Sequence, residues 1–124
     1  MRFVDTSVAV DHLRGDEPAT ALLEGLLDAR IPLVSSEIVR FELLAGTSAE
    51  DQGVETFFEA FDWVPITEPI ARAAAAYARR FRASHSGSDD ADYLIAASAS
   101  LLDAELLTTN VRHFPMFDGL AAPY

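Results

Sequence analysis

An α/β fold, with a mostly parallel central sheet and helices on both faces, is what the sequence predicts, and three observations carry it. Short apolar runs at residues 2–4, 31–35, 62–66 and 104–109 alternate with stretches whose apolar residues recur at helical spacing. The first two runs hand over directly to residues that cap helices, Thr6-Ser7 and Ser35-Ser36. Half of the 124 residues are apolar, enough for one core and one domain spanning residues 1–124.

Residues 2–4 read as a buried strand that ends on Asp5, where strand passes to helix. Residues 8–14 continue as a short helix closed by Gly15, and Glu17-Pro18 opens another through residue 30, with Leu22, Leu23, Leu26 and Leu27 as its apolar stripe. In the second strand, 31–35, Pro32 favours a strand start or an edge. Ser35 or Ser36 then caps a helix over 37–45 that Gly46 stops. A helix over 48–61 carries Phe57, Phe58 and Phe61, which crowd one element and so suit a core or subunit interface better than a base-stacking platform. After a strand over 62–66 comes a long helix over 68–83, with Ile70, Ala74, Tyr77 and Phe81 inward and Arg72 and Arg79 opposite. Beyond the polar loop 84–88, a helix opened by Asp89, Asp90 and Asp92 leads into the strand 104–109. Residues 116–124 form a terminal strand or tail with a turn at Asp118-Gly119.

Composition excludes several classes. With no cysteine there is neither a disulfide framework nor a thiolate metal site. His12, His85 and His113 lack zinc-ligand spacing and read as isolated surface or loop histidines. The first residues reach Asp5 too soon for a signal-peptide apolar region, and no apolar run approaches the roughly 18 residues of a membrane span. A soluble cytoplasmic chain is expected. A net charge of −11 rules out gripping nucleic acid by bulk electrostatics, so any such substrate is held locally. All nine basic residues are arginines, and Arg72, Arg79, Arg80 and Arg82 gather on one helix.

The informative feature is the set of acids on apolar faces. Asp92 shares a helical face with Ile95, Ala96, Ala99 and Leu102, past the positions where acids merely cap a helix. Glu42 lies on a face with Ile38 and Ala45, and Arg40, two residues away, points elsewhere. Asp5 ends a strand, and the crevice at the carboxyl ends of parallel strands is where such folds do chemistry. Its plain alternative is a capping Asp at a turn. If Asp5, Glu42, Asp92 and the Asn110 turn meet, carboxylates about 4 Å apart repel by about 4 kcal/mol at an effective dielectric near 20 and call for a cation. Hard oxygen ligands select Mg²⁺ or Mn²⁺. Such a site polarises a phosphodiester and activates water for in-line attack.

VDTSV at the N-terminus, the internal RFELLAG, DYLIAASA and TTNVRHF resemble the PIN-domain ribonucleases, specifically the VapC-type toxins of bacterial toxin-antitoxin pairs, over nearly the whole chain. The resemblance implies a PIN-like three-layer α/β/α sandwich, Mg²⁺- or Mn²⁺-dependent cleavage of RNA, a homodimer, and inhibition by a cognate VapB-type antitoxin. Carried over by position, Asp5, Glu42 and Asp92 match the metal-binding acids, Thr6 or Ser7 the hydroxyl beside the first acid, and Thr108 the threonine before the fourth position. That fourth position, commonly Asp, is Asn110 here, whose neutral carbonyl oxygen adds no charge to hold a second ion.

Other enzyme classes fit less well. A phosphoryl-accepting receiver domain relies on a lysine, and there is none. An Asp-x-Asp phosphatase motif fails because Ser7 stands two residues after Asp5, and an EF-hand loop from Asp90 lacks its glycine and its final glutamate. The alternative from another class is a non-catalytic PIN-like module that binds a metal or RNA.

Overall fold

The computed structural model describes residues 1–46 and 52–124. Among them, β1 (Arg2–Val4), β2 (Leu33–Ser36), β3 (Asp62–Val64) and β4 (Glu105–Leu107) form a parallel sheet in the order β3-β2-β1-β4. Phe3 of β1 pairs with Val34 on one side and Leu106 on the other, which makes β1 an interior strand and accounts for the burial of Phe3 and Val4. The helices are α1 (Thr6–Leu13), α2 (Glu17–Asp28), α3 (Glu37–Gly46), α4 (Gln52–Phe58), α5 (Glu68–Phe81) and α6 (Asp90–Leu101). A 3-10 turn, Val111–His113, follows β4. The fold is the α/β arrangement the alternating pattern predicts.

Helix ends explain where boundaries depart from expectation. α1, α2 and α6 close alike, with a residue in the left-handed region at Gly15, Arg30 and Asp103. In α2, Arg30 N–H donates to Leu27 and Ile31 N–H to Leu26, and in α6 Asp103 N–H donates to Ser100 and Ala104 N–H to Ala99. These paired bonds satisfy the last helical carbonyls. Arg30 therefore belongs to the closing turn and not to the helix. α4 ends at Phe58 in a tight turn, so Phe61 stands outside it, and residues 48–51 of the expected helix lie outside the described residues. β3 stops at Val64, before Pro65, which has no N–H to continue a ladder. Residues 116–124 are a tail without strand pairing, pinned where Tyr124 Oη donates to Asp11 Oδ2 at 2.7 Å.

α6 is central to the packing. Ile95, Ala96 and Ala99 join the cluster built on Phe3 and Val4, while Tyr93 and Ala97 pack with Ile70 and Ala74 of α5. A helix covered on two sides needs small residues on both, which is why its sequence is rich in alanine. Phe57, Phe58 and Phe61 are buried, with Phe57 and Phe61 ring centroids 4.7 Å apart, so these aromatics serve the core as expected. Arg40 lies over Trp63 at 4.2 Å and pairs with Glu37 at 2.7 Å, well away from Glu42. In α3 the buried pair is Val39 and Leu43; Ile38 and Glu42 are half-buried beside it, and Ala45 is exposed. Among the described residues, no helix is long and apolar enough to cross a membrane.

Candidate active site

In the order β3-β2-β1-β4 the chain steps outward from β1 through β2 to β3, then returns to the other side of β1 for β4. The reversal between β1 and β4 opens a crevice at their carboxyl ends, and Asp5 leaves β1 at that point. Its N–H donates to Leu107 of β4 at 3.0 Å. Although Asp5 occupies the N-cap position of α1, its side chain caps nothing. The carboxylate, 3% exposed, accepts instead from Ser7 Oγ at 2.8 Å and Thr108 Oγ1 at 2.7 Å, both on Oδ2. Each hydroxyl is oriented in turn by a backbone donor: Thr109 N–H reaches Ser7 Oγ at 3.0 Å, and Asn110 N–H reaches Thr108 Oγ1 at 3.0 Å. Two segments about a hundred residues apart, 5–7 and 108–110, thus hold one carboxylate, and the turn interpretation of Asp5 falls away.

Glu42 comes to the same place from α3, where Thr6 Oγ1 donates to its Oε1 at 2.8 Å. Burial raises its carboxyl pKa, the Thr6 hydrogen bond works against this, and the negative charges of Asp5 and Asp89 add to the rise. Asp5, Glu42 and Asp89 therefore share one electrostatic environment, which brings Asp89 into a site from which its reading as a cap had left it out.

Asp92 differs from expectation in one respect. It is not past the cap: Asp89 Oδ1 accepts Asp92 N–H at 2.9 Å, and Asp92 Oδ2 accepts Asp89 N–H at 3.0 Å, a reciprocal capping box. Helical spacing placed Asp92 on the apolar face correctly but could not show that its side chain also reaches back to the helix start. Burial raises its carboxyl pKa to about 6; the Asp89 amide opposes this, the Asp89 charge adds to it, and His113 opposes it. His113 Nδ1 stands 3.2 Å from Asp92 Oδ2, so this histidine is not isolated. Its sequence signal was the spacing in TTNVRHF, three residues after Asn110.

Thr6, Ser7 and Thr108 are thus hydrogen-bonded to the acids, whereas Asn110 contributes through its backbone. The Asn110 side chain is exposed and makes no capping hydrogen bond at the start of the 3-10 turn. The donor set suits a hard divalent cation, being all oxygen and buried enough to raise the Glu42 and Asp92 carboxyl pKa values. The oxygens are not yet gathered: among the described residues no three acidic or histidine side chains converge tightly enough to hold a metal ion. The carboxylate oxygens accept from hydroxyls and amides. An apolar cavity of about 500 Å³, lined by Leu23, Leu27, Phe57 and Phe61 among others, contains none of these acids.

A parallel sheet with a buried carboxylate, Asp5, at the end of its first strand and two further acids, Glu42 and Asp92, on flanking helices defines an α/β protein with the acidic side chains that phosphodiester hydrolysis uses. The sequence matches the PIN domain family over residues 2–119. It is 54% identical to Ribonuclease VapC19 of Mycobacterium tuberculosis, with all of both chains covered. Its structure is similar to a toxin-antitoxin complex from Klebsiella pneumoniae, with a TM-score of 0.81 at 24% identity, covering 100% of this chain and 98% of that one. It is also similar to VapBC2 from Rickettsia felis bound to a DNA fragment from their promoter, with a TM-score of 0.78 at 19% identity, covering 98% and 96%. This chain belongs to the PIN-domain family and, within it, to the VapC-type ribonucleases.

Proposed function

We propose that this VapC-type endoribonuclease hydrolyses RNA with a divalent cation, Mg²⁺ or Mn²⁺, held among Asp5, Glu42 and Asp92. The observation that supports this reading is the burial of the acids: burial raises the carboxyl pKa values of Glu42 and Asp92, and repulsion from neighbouring carboxylates adds to the rise, from Asp5 and Asp89 at Glu42 and from Asp89 at Asp92. A bound cation offsets that repulsion and, when present, polarises the scissile phosphoryl group and makes water a better nucleophile. Asp5, fixed by Ser7 and Thr108, provides a pre-set oxygen, and Thr6 orients Glu42. Asn110 offers only a neutral oxygen, so a second ion binds weakly and relies on substrate phosphate for the rest of its ligands. Purified protein incubated with total RNA in Mg²⁺ or Mn²⁺ is expected to generate new, mappable ends, which Asp92→Asn and chelation both abolish. Cleavage that persists in chelator would remove the cation from the reading.

RNA is gripped locally. Arg79 and Arg80 are in the last turn of α5, and Arg82 follows, bridged at 2.8 Å to Asp90 at the start of α6. The junction between α5 and α6 thus carries three arginines in a chain of net charge −11. Replacing Arg79 and Arg80 together with alanine is expected to raise KM more than it lowers kcat, and to reduce the salt slope of RNA binding by about 1.4. An unchanged slope would put these arginines outside the RNA path.

The protein works as one PIN-like domain over residues 1–124 in the cytoplasm, as a homodimer, under control of a VapB-type antitoxin. Phe41 of α3 is 63% exposed and Ile66 is 40% exposed, apolar surface suited to a second copy. The cavity lined by Leu23, Leu27, Phe57 and Phe61 offers an antitoxin segment an apolar groove.

A further inference from the structure

We propose that His113 is a positioning residue for Asp92, an inference that rests on Asp92 being a cation ligand. Its Nδ1 lies 3.2 Å from Asp92 Oδ2, the same oxygen that accepts Asp89 N–H at 3.0 Å. One contact comes from the cap of α6, as a hydrogen bond, and the other from the turn after β4, as a close polar contact, so two independent segments meet at a single oxygen. Rotating the carboxylate gives up both contacts, and the pair biases the orientation it presents to a cation. Outer contacts of this kind orient metal-binding carboxylates.

The backbone of His113 is itself held. His113 N–H donates to Asn110 O at 2.9 Å, and His113 O accepts from Ser88 Oγ at 2.7 Å. Ring atom Cδ2 lies 3.7 Å from where a Cβ on Gly87 would stand, so the ring packs against the loop that leads into α6. The turn that carries Asn110 and the loop that starts the Asp92 helix are therefore joined through this histidine. A proton on Nδ1, which one neutral imidazole tautomer carries, makes this contact favourable.

The test compares His113→Ala, His113→Asn and His113→Gln. Asparagine places an amide nitrogen the same number of bonds from the backbone as Nδ1 and can replace the donor; in glutamine that nitrogen is one bond further away. Calorimetric titration of Mn²⁺ into RNA-free protein is expected to show affinity reduced about 10- to 100-fold in the alanine variant, with recovery in asparagine and little in glutamine. With RNA, kcat should follow the same order while KM changes little. Melting curves separate this from a purely structural role, which would lower stability in all three variants and leave Mn²⁺ affinity alone. If alanine unfolds the chain, the asparagine–glutamine pair carries the comparison. Equal Mn²⁺ affinity in wild type and alanine, or in asparagine and glutamine, overturns the proposal. Wild-type protein that binds no Mn²⁺ instead overturns the cation reading of the acids, and this inference falls with it.

Discussion

Asp5→Asn is expected to lower kcat/KM for RNA by more than about 100-fold, beyond the usual cost of losing an outer-shell partner of a metal site, while leaving the melting temperature within a few degrees of wild type. The reason is geometric. Asp5 Oδ2 receives both the Ser7 and the Thr108 hydroxyls, and an asparagine carbonyl oxygen in that position keeps both bonds. What asparagine cannot supply is the charge that draws a divalent ion to the point where β1 and β4 diverge. Cleavage assays with calorimetric melting check both halves. Full activity in the variant would remove Asp5 from the catalytic set, and a collapse of the melting transition with residual specific activity would make it a structural acid.

Acidification through about pH 6 is expected to weaken divalent-ion binding and RNA cleavage together. Asp92 has its carboxyl raised from 3.8 to about 6, chiefly by burial. Below that value a proton and the cation compete for the same group, and apparent affinity falls by about tenfold per pH unit. Without a cation the sign for stability is opposite to that of an ordinary paired carboxylate. The folded-state pKa is the higher one, so the folded protein binds the proton more readily than the unfolded chain. The cation-free protein therefore loses stability as pH rises from 3.8 to about 6 and levels off above. Asp92→Asn can still accept Asp89 N–H through its amide oxygen, and should melt a few degrees higher than wild type above pH 6. Added Mn²⁺ should raise the wild-type melting temperature there and leave the variant unmoved. Melting scans across this range settle the sign: a wild type that gains stability relative to the variant between pH 4 and 6 would contradict the raised pKa.

Local sequence was enough wherever one element's periodicity decides the outcome. Alternation of apolar runs with helical spacing predicted the parallel α/β layout, because a parallel strand must be followed by a crossover and its buried face must be apolar. Asp5 was conspicuous as an acid at a strand end, and it stands at the reversal between β1 and β4. Asp92 was conspicuous on an alanine-rich face, and that face is buried. Helix ends at Arg30 and Asp103 were less visible, since in both a non-glycine residue adopts the left-handed conformation that glycine usually signals.

Only the tertiary structure decided which side chains share hydrogen bonds. Thr108 lies 103 residues from Asp5 and Thr6 lies 36 from Glu42, and no periodicity reports on such pairs. Asp89 looked like an ordinary cap because its field on Glu42 crosses from α6 to α3. His113 looked like an isolated loop residue because its partner, Asp92, belongs to another element. By itself, then, the sequence determined the layers, the alternation of strands and helices and the acids on apolar faces, since these follow from local backbone geometry and the burial of apolar surface. Sheet order and the approach of α3 and α6 determined the orientation of each carboxylate, because hydrogen bonds and charge act over a few ångströms of space, whatever the separation along the chain.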